Sequence, residues 1–136
     1  MTTPEPRPGF SGSISRETVA QFETRLPPSC KHGADLRFHG VVRDSEDGRG
    51  ITGIDYSHYE AMAEGELHRI GAAMLKEFPD HLAMIHHQIG FVPVGTASIL
   101  IRIQTAHSAA AFAICHDYLR RIKETVPIWK KPIFIG

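Results

Sequence analysis

The spacing of apolar residues changes period several times along the chain, and each change marks an element. Residues 33–43 alternate, with Ala34, Leu36, Phe38, Gly40 and Val42 on one face and Asp35, Arg37, His39, Val41 and Arg43 on the other, as a half-buried strand requires. A second strand is predicted through Ile51, Ile54, Tyr56 and His58, and the charged, glycine-containing residues 44–50 read as a mobile hairpin connection. Over residues 60–78, Ala63, Leu67, Ile70, Met74 and Phe78 recur at helical spacing. Gly65 and Gly71 each cost that helix about 1 kcal/mol against alanine, and small residues there allow close packing on a sheet. Residues 81–90 and 98–105 read as strands, the second with Ile99, Ile101 and Ile103 opposite Leu100, Arg102 and Gln104, while Pro93 belongs at an edge or bulge. A last helix places Ala111, Cys115, Tyr118 and Ile122 on one stripe, with Ser108 as its cap. Pro127 ends it, because the ring blocks helical geometry at Val126 and removes an N–H, and residues 128–131 follow as extended chain.

Before these elements, Ser15 caps a short helix carrying Val19, Phe22 and Leu26, closed by Pro27 and Pro28. Residues 1–13 are rich in Pro, Thr, Ser and Gly without apolar period and read as a flexible arm, which leaves residues 14–136 as one domain. After the first helix the order is strand, strand, helix, strand, strand, helix, extended segment. That order predicts an α+β domain with a largely antiparallel sheet.

At 136 residues a single core is expected. Fifteen Lys and Arg balance fifteen Asp and Glu, so no global field recruits nucleic acid and an anion site has to come from local clustering. Cys30 and Cys115 stand in no CxxC or Cys-His spacing, no signal peptide is read, and a reduced cytoplasmic compartment is expected. No apolar run approaches the roughly 20 residues of a membrane helix. Nine histidines raise a metal site. Their spacing argues against one, since His86 and His87 are adjacent on a strand and point to opposite faces, one toward the core and one to the sheet surface. No phosphate-binding glycine loop, Gly-x-Ser-x-Gly or internal repeat occurs.

The chemistry concentrates in residues 118–131, which hold Lys123, Lys130, Lys131 and the single tryptophan, Trp129. Lys123 falls in the last turn of a helix, where the partial negative charge of the dipole suits a cation. Lys130 leaves an extended segment in another direction and converges with Lys123 only through tertiary folding. Arg43 closes a strand beside a loop, a common location for a ligand contact. His107 precedes a helix N-terminus, where backbone N–H groups attract anions, and reads as a phosphate ligand.

Five blocks resemble the catalytic subunit of molybdopterin synthase, the MoaE family, in the family's order. They are residues 38–43 (Phe-His-Gly-Val-Val-Arg), 56–63 (Tyr-Ser-His-Tyr-Glu-Ala-Met-Ala) and 87–90 (His-Gln-Ile-Gly), then Ala106-His107 with Ala111-Phe112, and 123–131 ending Pro-Ile-Trp-Lys-Lys. The resemblance implies an α/β-hammerhead fold, a homodimer, and assembly with a small ubiquitin-like sulfur-carrier subunit. That subunit's C-terminal Gly-Gly thiocarboxylate delivers sulfur to cyclic pyranopterin monophosphate, forming the molybdopterin dithiolene. No metal or cofactor enters this reading. Both reactants are anions, so their pocket needs cations, and the resemblance places Val41, Val42, Arg43, His107, Lys123, Lys130 and Lys131 around the substrate. It implies that Lys123 and Lys130 are catalytic, Lys123 moving protons once nearby cations and burial lower its pKa from about 10.4. Trp129 anchors the segment or walls the pocket. The family pattern carries arginines where this chain has Ser108 and Gln88 and an acidic residue where it has Pro132. Those departures define an alternative: a homodimeric binding module for a Gly-Gly tail or a pterin phosphate without turnover.

Overall fold

The structure is a computed structural model that describes residues 9–136. It contains eight strands and three helices in the order β1 (Gly9–Ser15), α1 (Val19–Glu23), β2 (Ala34–Val41), β3 (Ser45–Glu46), β4 (Arg49–His58), α2 (Glu60–Glu77), β5 (Leu82–Gln88), β6 (Gly90–Pro93), β7 (Ala97–Thr105), α3 (Ser108–Thr125) and β8 (Ile128–Phe134). The expected α+β class and largely antiparallel pairing are present.

One sheet has the order β1-β5-β7-β2, and all its pairs are antiparallel except β1 with β5. The arm expected over residues 1–13 is therefore corrected from Gly9 onward: Phe10 to Ile14 pair in register with Ala83 to His87. A strand this rich in Gly and Ser lacks the apolar alternation that reveals strands, and pairing with β5 supplies its order instead. Residues 1–8 of that expectation lie outside the described residues. The helices α2 and α3 cover one face through the predicted stripes: Ala63, Leu67, Ile70 and Met74 from α2 and Ala111, Cys115, Tyr118 and Ile122 from α3 are buried against Ile85, Ile99, Ile101 and Ile103. Fully burying one such aliphatic side chain contributes about 1.5–3 kcal/mol, so these stripes dominate the packing. Gly71 touches this interface directly, because a Cβ there would lie 2.3 Å from the Phe10 ring of β1, whereas Gly65 faces open space.

The opposite face of that sheet is also covered, which alternation alone does not reveal. Phe22 of α1 stacks on His86 at 4.7 Å, and His86 is fully buried, its Nε2–H donating to the Glu17 carbonyl and its Nδ1 accepting from Ser13. The sheet-surface position expected for one of the adjacent histidines is thus an interior one. Nearby, Arg102 is 1% exposed and grips Asp35 with two nitrogens at 3.0 and 2.9 Å while donating to the Pro27 carbonyl at 2.7 Å. The helix α1 is shorter than expected and is capped by Thr18 rather than Ser15, in a reciprocal box with Gln21.

The second sheet is built on β4, which pairs with β3, β6 and β8. The β3–β4 link is a tight turn in which Asp47 and Gly48 both have positive φ, so residues 44–50 form an ordered hairpin. Pro93 ends β6, in agreement with an edge position. The smaller core of Val42, Ile51, Ile54, Tyr56 and Val92 lies on one side of this sheet. No helix among the described residues is long and apolar enough to cross a membrane.

Candidate functional site

The ends of β4, β5, β7 and β8 meet the last turn of α3 around a cavity of about 290 Å³. Val126 takes an extended conformation ahead of Pro127, the chain reverses, and β8 pairs antiparallel with β4 so that Lys130 stands opposite Tyr56. That pairing brings Lys130 to the same cavity as Lys123. Val41 lines it too, because a register shift between Gly40 and Val41 breaks the alternation of β2 and turns consecutive residues toward the cavity. A contiguous recess of about 50 Å³ shares Val41, Tyr56 and Lys130 and adds Val42, Arg43 and Glu46. Lys130 lies 3.9 Å from the Glu46 carboxylate, a long and largely exposed pair that tethers the ammonium only weakly.

Of the seven residues singled out in the sequence, five therefore converge: Val41, Val42, Arg43, Lys123 and Lys130. Val42 does so as a core residue, 3% exposed, rather than as a free surface contact. Lys123 and Lys130 are exposed at the cavity rim, so the burial expected around Lys123 is absent in the single chain. Lys131 pairs opposite Asp55 and projects to the other face of β8, the face of Trp129, whose ring contacts Tyr59 edge-on at 5.9 Å. Neither Trp129 nor Lys131 lines the cavity. His107 lies at the far end of α3 and lines a separate cavity of about 340 Å³ with His81, Phe78 and Ile114. Its position as N-cap also corrects the expectation for Ser108, which is an exposed first helical residue and not the cap.

Three polar groups at this cavity escaped the sequence reading: Tyr56, His87 and Ser98. The signal available was parity, since His87 continues the helix-facing series Ala83, Ile85, and a polar side chain ending an apolar face is a site candidate. His87 Nδ1–H donates to the Gln88 carbonyl at 2.7 Å, which leaves Nε2 as the unprotonated ring nitrogen. Burial is the main cause holding its pKa down to about 4, with His86, His58 and Lys130 adding repulsion against a second proton. The Tyr56 ring meets it edge-on at 5.0 Å, and burial raises the Tyr56 phenol above its ordinary range. At neutral pH the cavity thus presents ammonium groups at its rim and a neutral imidazole in its wall. Such a site suits an anion that must also exchange protons.

Fold and cavity together define an α+β protein with a lysine-rimmed pocket where two sheets meet. The chain belongs to the MoaE protein family, which it matches over residues 13–125. It is 33% identical over 124 residues to the molybdopterin synthase catalytic subunit of Bos taurus, an alignment covering 91% of this chain and 64% of that protein. Against the structure of molybdopterin synthase from Staphylococcus aureus it has 30% identity and a TM-score of 0.78, covering 93% of this chain and 92% of that one. A complex of subunits 1 and 2 of molybdopterin-converting factor from Helicobacter pylori shares the fold, with a TM-score of 0.66 at 21% identity over 93% of this chain and 90% of that one. The chain spans less than two thirds of the length of the bovine relative and of other curated relatives that it matches.

Proposed function

We propose that this chain is the catalytic subunit of a molybdopterin synthase, a sulfurtransferase acting on cyclic pyranopterin monophosphate. The observation that carries this reading is the convergence of Lys123 and Lys130, from a helix and a strand, on one cavity. The phosphate and the thiocarboxylate of a small subunit's Gly-Gly tail are anions, and Lys130 with Arg43 on its flank supplies fixed positive charge for them. Lys123 is the amine that moves protons during ring opening and sulfur addition, and an incoming tail supplies the desolvation that the single chain lacks. The complex of two converting-factor subunits supports a small-subunit partner, and the two unpaired cysteines suit a cytoplasmic setting.

The departures at Gln88 and Pro132 lie outside the cavity lining, which favours a working synthase over a binding module without turnover. His107, placed by resemblance at the substrate, belongs in this reading to the pocket of a second copy. The test is conversion of cyclic pyranopterin monophosphate to molybdopterin by the purified chain with a thiocarboxylated small subunit. Product formation that requires both proteins is expected. Tight binding of the small subunit without product would instead support the binding-module reading.

A further inference from the structure

Sulfur delivered from a thiocarboxylate to a carbon atom passes through a thioester: the sulfur bonds to the substrate while still attached to the carbonyl of the terminal glycine. Each transfer then ends only when water cleaves the bond between that carbonyl and sulfur. A site that performs this reaction needs a group to take a proton from water in a step separate from the ring opening and sulfur addition assigned to Lys123, and both lysines stand exposed at the rim rather than in the cavity wall. His87 is different. Its Nδ1–H is committed to the Gln88 carbonyl, its Nε2 has no hydrogen-bond partner among the described residues, and its ring lines the same cavity as Lys123 and Lys130. The ring is held in place by the edge contact with Tyr56, whose neighbour Ser98 lines the same wall and bonds back to the Gly40 carbonyl at 3.4 Å.

We infer that His87 is the general base that releases sulfur from the small subunit by hydrolysing the thioester formed in the cavity, an inference that rests on the synthase reading above. Water oxygen bonds to the glycine carbonyl carbon as one water proton passes to His87 Nε2. The carbon–sulfur bond to that carbonyl breaks, and its electron pair leaves with sulfur, which stays on the substrate as a thiolate. The new carboxylic acid ionises to solvent, and His87 returns its proton to solvent or to the thiolate. No electron transfer is involved. Charged and titratable groups surround the ring from each neighbouring element: Lys123 from α3, Lys130 from β8, Tyr56 and His58 from β4, and His86 from its own strand. Burial first, and the nearby Lys130 ammonium after it, disfavour the imidazolium, so it gives up its proton readily and the base is reset for the second transfer.

The test uses the full chain with a thiocarboxylated small subunit and cyclic pyranopterin monophosphate, and follows thiocarboxylate consumption and free carboxylate release separately by intact-protein mass. In His87→Gln, which keeps a polar side chain without a basic lone pair, consumption in the first turnover is expected to stay within about threefold of wild type. Carboxylate release should slow by about 10²-fold or more, with the small subunit trapped as a substrate thioester. In His87→Ala, added imidazole should restore release. If wild type turns over and His87→Gln releases carboxylate at the wild-type rate, or if consumption and release slow equally without a trapped adduct, the role assigned to His87 is wrong and the synthase reading stands. If wild type consumes no thiocarboxylate at all, both fall. Should His87→Gln prove unfolded by circular dichroism, the imidazole arm with His87→Ala decides, and an adduct unaffected by imidazole overturns the assignment.

Discussion

At Lys123 the proposed chemistry and the stability of the fold separate cleanly. The side chain is exposed in the last turn of α3, so Lys123→Ala removes a dipole interaction of only about 0.3–1 kcal/mol. Turnover is expected to fall by at least about 10²-fold while the melting temperature moves by a few degrees. A variant that keeps near wild-type turnover, or one that melts far lower, contradicts the assignment. Two other residues predict how stability follows pH. His87 has a folded pKa of about 4, below its ordinary value of 6.5, so the unfolded chain binds the proton more tightly. Its contribution is fully present above about pH 6.5 and is lost as pH falls toward 4, at roughly 1.4 kcal/mol per unit of depression. Asp35, held low chiefly by its hydrogen bonds to Arg102, follows the same sign at lower pH: its contribution is present above its ordinary 3.8 and lost as acid titrates it in the fold. Thermal melts from pH 7 to 3 should therefore show a decline that begins above the carboxylate range, and His87→Gln should reduce that early part, the remainder coming from His81, whose pKa burial also holds down. Neither shift was legible beforehand, because parity gives only the face that His87 and Asp35 occupy, while the burial around His87 and the Arg102 guanidinium beside Asp35 come from distant elements.

At the scale of elements, α2 offers a paired comparison. Its two glycines look equivalent in sequence, both placed within one helical stretch, and helix propensity assigns each alanine substitution the same gain of about 1 kcal/mol. Packing separates them. Gly65→Ala meets nothing within 4 Å and should raise the melting temperature, whereas Gly71→Ala drives a methyl group into Phe10 of β1 and should cost about 1–3 kcal/mol net. Denaturant titrations of both variants check this, and a stabilised Gly71→Ala would mean that β1 is not seated as described. The helix stripes, the stop at Pro127 and the strand faces of β2 and β7 were readable from period alone. The first strand was not, since its order depends on β5 and on the space left by Gly71.

For the whole molecule, α3 sets the distance between two candidate ligands. His107 precedes its first residue and Lys123 lies in its last turn, about 24 Å apart along the axis at 1.5 Å per residue. One chain cannot bring both to one small anion. If His107 serves the pocket, it serves that of a second copy, and mixing a His107→Ala chain with a Lys123→Ala chain should restore part of the activity through one intact composite site per hybrid dimer. Exchange of chains without recovered activity, or a monomer by light scattering, removes His107 from the site.

The amino-acid sequence by itself determined the class of the domain, most of its elements and the two lysines on which the proposed chemistry rests, because these follow from local spacing, proline stops and short motifs. Only the tertiary structure decided that Lys123 and Lys130 share a cavity, that His87 completes its wall, and that Lys131 and His107 point elsewhere. The physical reason is the pairing of β8 with β4, which sets Lys130 opposite Tyr56 across most of the chain. Local periods specify which face a residue occupies, and long-range register specifies what that face meets.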